Sequence, residues 1–510
     1  MEFERLGEYI ERRWEGDPGG YGGRRARSSF TYRAWVPDPI AELDPAITFE
    51  TAGTIEAAEA AIAALNGSVN IIGLEAIGPL LLRSEAIASS KIEGYELSQR
   101  NLARALIDSR AAKGTARTVA ANVVAMEEAI ALGERAGPLT VEDLRQIHAT
   151  LMANEPERTK PGRLRDEQNW IGGRLSSPLD ARYVPPPATD VPRLLEDLMR
   201  FVNERDDLPG AAQAAIAHAQ FETIHPFIDG NGRVGRCLIH VVLRRRGVAP
   251  RFVPPISIVL AARPEQYVDG LEAYRAGGVA TWCASFAGAC QRAATVSIEF
   301  ADQVFRLRER WVRDAGVRRD STAARIIDLL PAQPIVSAAT VRGAASVSHQ
   351  RALVALKDLE TAGVVRQITE GGYDRQYAAD GLFELIEHFE EQVADQNWQS
   401  AKIQTREERE AELLATWGRL RRNAEFARLG PDEFATNPDF MARTEDQRRA
   451  AKRWLDRNQP ELNELGMTIR LLEAAPDAIA VSDPHLQGSL TTARVLDEAY
   501  ATEIAAQTRR

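Results

Sequence analysis

The sequence predicts a mainly α protein of several domains, and three observations carry that expectation. From about Ala111 to Phe305, Ala, Leu and Ile recur at three- and four-residue spacing, the period of helices with a buried face. Strand-like material in that stretch is confined to one segment, about Ile171 to Val184, where Gly172 and Gly173 and then Tyr183, Val184 and three prolines read as a hairpin-like loop. Beyond Asp320 the order becomes helix, helix, helix, hairpin, which is the winged-helix pattern. At 510 residues the chain exceeds a single hydrophobic core.

Taken in order, residues 1–110 form an N-terminal region. Asp17 to Arg33, rich in Gly, Arg and Ser, reads as a loop, after which Val36 to Ile40 and their prolines lead into helices. A helix at about 78–94 ends in LLRSEAIASSKIEG, Leu81 to Gly94. There Leu82, Ala86, Ser89 and Glu93 keep helical spacing and Gly94 stands where a helix stops. A carboxylate at that end opposes the helix dipole, so Glu93 calls for a positive partner. Residues 111–305 are the helical core, and Ala219 to Ile224 runs as a helix with Phe221 and Ile224 facing inward. In the winged-helix region, 318–385, Ser321–Leu330 ends at Pro331, Ala338–Ala345 follows, and Ser348–Ala362 is stopped by Gly363. Its hairpin turns at Glu370-Gly371-Gly372. Residues 386–510 are a helical extension with Trp417 and Trp454 as packing anchors and breaks at Asn437–Pro438 and Pro476–Pro484.

Chemistry concentrates in HPFIDGNGRVGR, His225 to Arg236. Pro226 cannot continue the preceding helix, so the His225 imidazole is presented at a helix end. Gly230, Asn231 and Gly232 permit tight or left-handed backbone, letting amides converge on an anion at the start of the next helix. Arg233 and Arg236, three apart, share a face and bring two bidentate forks to it. Together these features describe a phosphate site.

At these residues the chain resembles the Fic family of protein-modifying enzymes, whose signature HPFx(D/E)GNGRxxR it matches at every fixed position. The resemblance implies an all-helical Fic core that transfers AMP from ATP to a hydroxyl of a target protein or of itself. His225 is then the general base, a role suited to a group titrating near neutrality. Asp229 holds Mg²⁺, the amides of Gly230 to Gly232 with the Asn231 side chain bind phosphate, and Arg233 and Arg236 take the outer phosphates. Gln220 is a further nucleotide contact, or else a solvent-exposed residue. The phosphorylating branch, the Doc-like toxins, carries Lys where this chain has Gly232, so Gly232 resembles the nucleotide-transferring branch. Ser89 to Gly94 is similar to the family's inhibitory pattern (S/T)xxxE(G/N), which implies that Glu93 pairs with Arg236 where the γ-phosphate would go. Pro161 to Val191 resembles the segment around the family's target-docking flap, an edge that can hold a peptide by strand addition. Two other readings remain: a de-AMPylating hydrolase in which Glu93 positions a water, and a DNA-binding autoregulator in which the winged helix dominates and the core senses nucleotide.

Bulk properties bound these expectations. Lys plus Arg at 63 against Asp plus Glu at 73 gives a net charge of −10, which disfavours broad nucleic-acid affinity. The winged helix has few basic residues beyond Arg351 and Arg375, so docking or self-association is favoured over DNA for it. The three cysteines, Cys237, Cys283 and Cys290, lack metal-ligand spacing and read as reduced core residues. His148, His218 and His240 read as packed or half-exposed side chains. The N-terminus is charged and no apolar run reaches about twenty residues, which argues for a cytoplasmic protein without a membrane anchor. A homo-oligomer fits the family, in which inhibition is often tied to assembly.

Overall fold

The computed structural model describes residues 5–16, 28–67, 71–107, 113–173, 177–318, 320–369, 375–395 and 406–428. It also describes 447, 449–459, 462–463, 493, 496–497 and 500. These fall into two compact units, residues 1–66 with 72–399, and 67–71 with 400–510.

The first unit opens with β1 (Gly7–Trp14) antiparallel to β2 (Phe30–Pro37), Gly7 opposite Pro37 and Trp14 opposite Phe30. This corrects the expected loop, because the strand begins at Phe30, and Val36 and Pro37 belong to it. Phe30, Thr31, Tyr32, Trp35 and Val36 are strand formers, and the rings of Phe30 and Trp35 find partners across the pair. Trp14 stacks on Phe30 at 6.5 Å, and Tyr9 meets Trp35 edge-on at 4.8 Å.

Helices follow: α1 (Phe49–Gly67), α2 (Ile71–Ile92), α3 (Gln99–Ile107), α4 (Thr115–Glu134), α5 (Val141–Leu151), α6 (Val191–Glu204), α7 (Gly210–Ile224), α8 (Asn231–Arg245), α9 (Ile256–Ala262), α10 (Pro264–Arg275) and α11 (Val279–Ala315). Helix α2 starts ahead of the expected position and runs through Pro79; the neighbouring Gly78 leaves room for the Phe252 ring. Every residue of α7 is buried. Its alanines let α6, α8, α10 and α11 close around it. Trp282 of α11 reaches across to donate to the Ala215 carbonyl at 2.7 Å. The fold thus places the end of α7 and the start of α8 at the centre of the bundle, with α4 and α5 against α8 and α4 beside α2 through Asn122, which donates to the Ala86 carbonyl at 3.0 Å and Ser90 Oγ at 3.1 Å.

Helix α11 continues past Phe305, carrying Leu307 and Trp311 into the following elements, where Trp311 donates to the Asp380 carbonyl at 3.2 Å. These elements are α12 (Thr322–Leu329), β3 (Ile335–Ser337), α13 (Ala338–Ala345), α14 (His349–Thr361), β4 (Val365–Gln367) and β5 (Gln376–Ala379). Side chains of Ser321, Ser337 and Ser348 cap the three helices. The sheet order is β3-β5-β4, all antiparallel. Strand β3 was not expected; three residues are too short to show a period. The expected turn at Glu370 to Gly372 lies outside the described residues. Helix α15 (Leu382–Ala394) runs through the expected boundary at 385/386, and its Phe389 stacks on Phe300 of α11 at 4.4 Å.

In the second unit α16 (Arg406–Arg428) is followed by helical residues 449–459, where buried Trp454 meets Tyr500 edge-on at 5.1 Å. The expected breaks at Asn437–Pro438 and Pro476–Pro484 lie outside the described residues. No helix among the described residues is long and apolar enough to cross a membrane.

Candidate active site

Helix α7 stops because Pro226 follows and His225 turns to a left-handed φ of 50°, its amide donating to the Phe221 carbonyl at 2.9 Å. Five residues after His225, Gly230 at φ 78° opens α8. Here glycine is needed: a Cβ would add strain and sit 2.9 Å from Met152 Sδ. The intervening loop is fixed from several sides. Phe227 is fully buried and stacks on His148 of α5, ring centroids 3.8 Å apart. His148 Nδ1 accepts from the Gly162 amide at 2.9 Å, so the proton is on Nε2, 3.0 Å from the Asp229 carbonyl. Burial lowers this imidazole to about 4, which keeps that tautomer neutral. Arg165 donates to the carbonyls of His225 at 2.9 Å and Pro186 at 2.5 Å, and Asn169 to that of Phe227 at 2.9 Å. Sequence reasoning missed Arg165 and Asn169; both lie in the stretch leading to the flap, GRLRDEQNW, and were the available signal.

His225 is mostly enclosed, its side chain 17% open, and burial lowers it to about 4, with the Arg165 charge acting the same way. The ring is therefore neutral and able to accept a proton at neutral pH. The first-turn amides of α8 have no carbonyl within the helix to bind and point at the same space. Asp229 is exposed, with Oδ1 accepting from the Gly230 amide at 2.6 Å. Its second oxygen is left for a hard cation, the pattern of one carboxylate plus substrate phosphates that suits Mg²⁺.

Arg233 and Arg236 of α8 are each 1% exposed. Arg236 donates from Nε to Ser89 Oγ, and from Nη2 to the Ser89 carbonyl and to Glu93 Oε1, each at 2.8 Å. Burial pushes the Glu93 carboxyl up, but the Arg236 charge and hydrogen bond outweigh it and hold Glu93 below its ordinary range. Reciprocally, burial opposes the Arg236 charge and Glu93 more than offsets it, raising the guanidinium. The turn is set by Gly94 at φ 84° and by the Glu93 and Tyr95 amides, both donating to the Ser90 carbonyl. Tyr95 then lies over Arg233, 5.1 Å from guanidinium to ring, while Arg233 Nε and Nη1 have no hydrogen-bond partner. Gly232 faces the same contact: a Cβ there would overlap Glu93 Oε1.

Two of the predicted site residues are held by contacts within the fold. Gln220 is not exposed: it is buried, donating to the Asp38 carbonyl at 3.1 Å and accepting from Tyr274 Oη at 3.1 Å. Asn231 braces the loop, accepting from the Phe227 amide and donating to its carbonyl, each at 2.8 Å.

At the flap, the Ile171 amide donates to the Tyr183 carbonyl at 2.8 Å and closes an antiparallel bridge, with Gly172 and Gly173 at φ 73°. Residues 174–176 lie outside the described residues. Val184 accepts from the Trp35 amide of β2 at 2.9 Å and Tyr183 Oη donates to the Thr223 carbonyl at 2.7 Å, which fastens the flap's return arm to the site.

Residues 138–243 match the Fic/DOC family model, and residues 53–131 match the Fic/DOC family N-terminal model. Among curated proteins, the chain is 31% identical over 118 residues to a Drosophila erecta protein named protein adenylyltransferase Fic, covering 23% of this chain and 22% of that one. It is 28% identical over 133 residues to the Caenorhabditis elegans protein adenylyltransferase fic-1, covering 26% and 23%. The chain thus spans about a fifth of the length of the curated relatives it matches. Among solved structures, a Fic family protein from Desulfovibrio desulfuricans aligns with TM-score 0.41 and 23% identity over 66% of this chain and 97% of that one. Fic-1 from C. elegans aligns with TM-score 0.38 and 19% identity over 49% and 73%.

Proposed function

From the premise that the chain carries a Fic/DOC domain and its N-terminal companion, we propose that it is a protein adenylyltransferase held off by Glu93. The observation that supports this reading best is the pairing of Arg236 with Glu93 beside a neutral His225 and the open amides of α8. In the proposed reaction the target hydroxyl gives its proton to His225 as its oxygen attacks the α-phosphorus of ATP, and pyrophosphate leaves. Arg233, the α8 amides and, once freed, Arg236 hold the phosphates in line. Mg²⁺ on Asp229 would neutralise phosphate charge when bound. Glu93 competes for Arg236, so nucleotide can be bound with its outer phosphate misplaced or not at all.

The substrate hydroxyl is proposed to arrive at the flap, Ile171 to Val184, by strand addition to its edge. The elements from α12 to β5 have the order of a winged helix; with few basic residues there, we assign them to protein docking before DNA.

The test is to incubate wild type, Glu93→Gly and His225→Ala with Mg²⁺ and ATP labelled at the α- or γ-phosphate. Label from the α-position alone is expected on protein, at least about tenfold higher with Glu93→Gly and lower by about 10²-fold or more with His225→Ala. Transfer of γ-label would sink the reading, and release of AMP from modified protein by wild type but not by Glu93→Gly would replace it with hydrolysis.

A further inference from the structure

Behind His225 lies a carboxylic acid that the roles above leave unused. Glu222 sits on the last turn of α7, its side chain 9% exposed, with Oε2 3.9 Å from His225 Nδ1. Neither that ring nitrogen nor Glu222 Oε1 has a hydrogen-bond partner, and His218 Nδ1, one turn earlier, has none either. The Glu222 carboxyl and the His218 nitrogen crowd one place, where α8 carries Gly235. A Cβ there would overlap Glu222 Oε1 and lie 3.2 Å from His218 Nδ1. Burying an unpaired carboxyl costs stability that an apolar residue would not, so its presence beside the base calls for a reason other than packing.

We propose that Glu222 is the positioning residue of the base, its carboxylate holding the His225 ring and the charge that ring acquires. The inference rests on the transfer reading above. In the step, the target O–H bond breaks and its proton moves to His225 Nε2. The oxygen bonds to the α-phosphorus, and the bond to pyrophosphate breaks. Glu222 takes no proton; Nδ1–H of the new imidazolium faces it, as a carboxylate faces the histidine in other base–orienter pairs.

Glu222 must then be ionised before the step. Burial raises it to about 7, with Glu93 adding to the rise and Arg236 and Arg275 opposing it. The other titratable groups around it are His218 and His225 along α7, Tyr267 on α10 and Tyr183 on the flap. Since His225 itself lies near 4, readiness of the site follows Glu222. Below about 7 the acid is protonated and His225 has no counter-charge to work against.

The test uses the full chain with isotope-labelled histidine, the His225 ring being assigned by its loss in His225→Ala. In wild type the ring signals should move in two steps, one near pH 7, and Glu222→Gln should lose that upper step alone. A wild-type ring without it, or a step that persists in the variant, overturns the pairing. In the Glu93→Gly background, adding Glu222→Gln should lower kcat at least tenfold, keep the KM for ATP within twofold, and flatten the acid limb of the pH profile. An unchanged kcat and limb overturn the role. If Glu93→Gly transfers no label while the ring still shows its upper step, the transfer reading fails and the pairing stands.

Discussion

At the scale of single residues, the site is a set of competitions for a few donors. Arg236 divides three hydrogen bonds between Ser89 and Glu93, and Gly232 leaves the space in which Glu93 sits. Gly232→Ala and Glu93→Gln should therefore be non-additive in a double-mutant cycle of unfolding free energy, coupled by about 0.5–3 kcal/mol; additivity would show that the two do not share the space. Gln220→Leu tests whether that residue acts within the fold or on nucleotide. It leaves the Asp38 carbonyl and Tyr274 hydroxyl without their partner and should cost about 1–3 kcal/mol in denaturant melts. The KM for ATP should stay within twofold, and a large rise would return Gln220 to the nucleotide site. The signature residues were legible because their demands are local: a proline that stops a helix, glycines at positive φ, arginines one turn apart. Gln220 was not, because amphipathic reasoning needs an exposed face and α7 has none. Glu222 was hidden for the same reason, its meaning resting on which buried atoms lack partners.

At the scale of elements, His148 shows how α5 sets the loop between His225 and Gly230. It accepts from Gly162, donates to Asp229 and stacks on Phe227, so one side chain spans three segments. His148→Phe keeps the stack and removes both hydrogen bonds. It should lower stability by about 1–3 kcal/mol in denaturant melts and slow nucleotide transfer by about tenfold or more, because misplacement of a bound group is costly in rate. Wild-type turnover from that variant would mean the loop is held by other contacts. The helices of the core announced themselves by period and by their stops. The β1–β2 pair did not, since β1 is half charged and the residues that follow it carry the composition of a loop. Strand β3 is too short for any period, and α15 carries an apolar stripe, Leu382, Phe383, Ile386, Phe389 and Val393, that crosses the boundary drawn from sequence.

For the whole molecule, buried histidines tie stability to pH. His148 and His225 are lowered to about 4 and His218 to about 3, all chiefly by burial. With unfolded values near 6.5, the unfolded chain binds these protons first. Their contribution is complete above about pH 6.5 and is lost as pH falls toward 4 and 3. Glu222, raised to about 7, acts in the opposite sense, stabilising below its unfolded value and losing that contribution as pH rises through 7. Three groups against one predict a melting temperature lower at pH 5 than at pH 7; an equal or higher value at pH 5 would refute this assignment of charge. The span of α11 was not readable along the chain: its buried face continues from Trp282 through Phe300 to Trp311 without a stop signal, past the boundary drawn at Phe305. The contact between Gly232 and Glu93 has a consequence for descent. The two positions lie on separate segments yet share one space, since a side chain at 232 is admitted only if the end of the Glu93 side chain moves or is removed. Substitutions at 232 are therefore easiest where position 93 has already changed, so the order in which a lineage alters the two segments is set by a single shared volume.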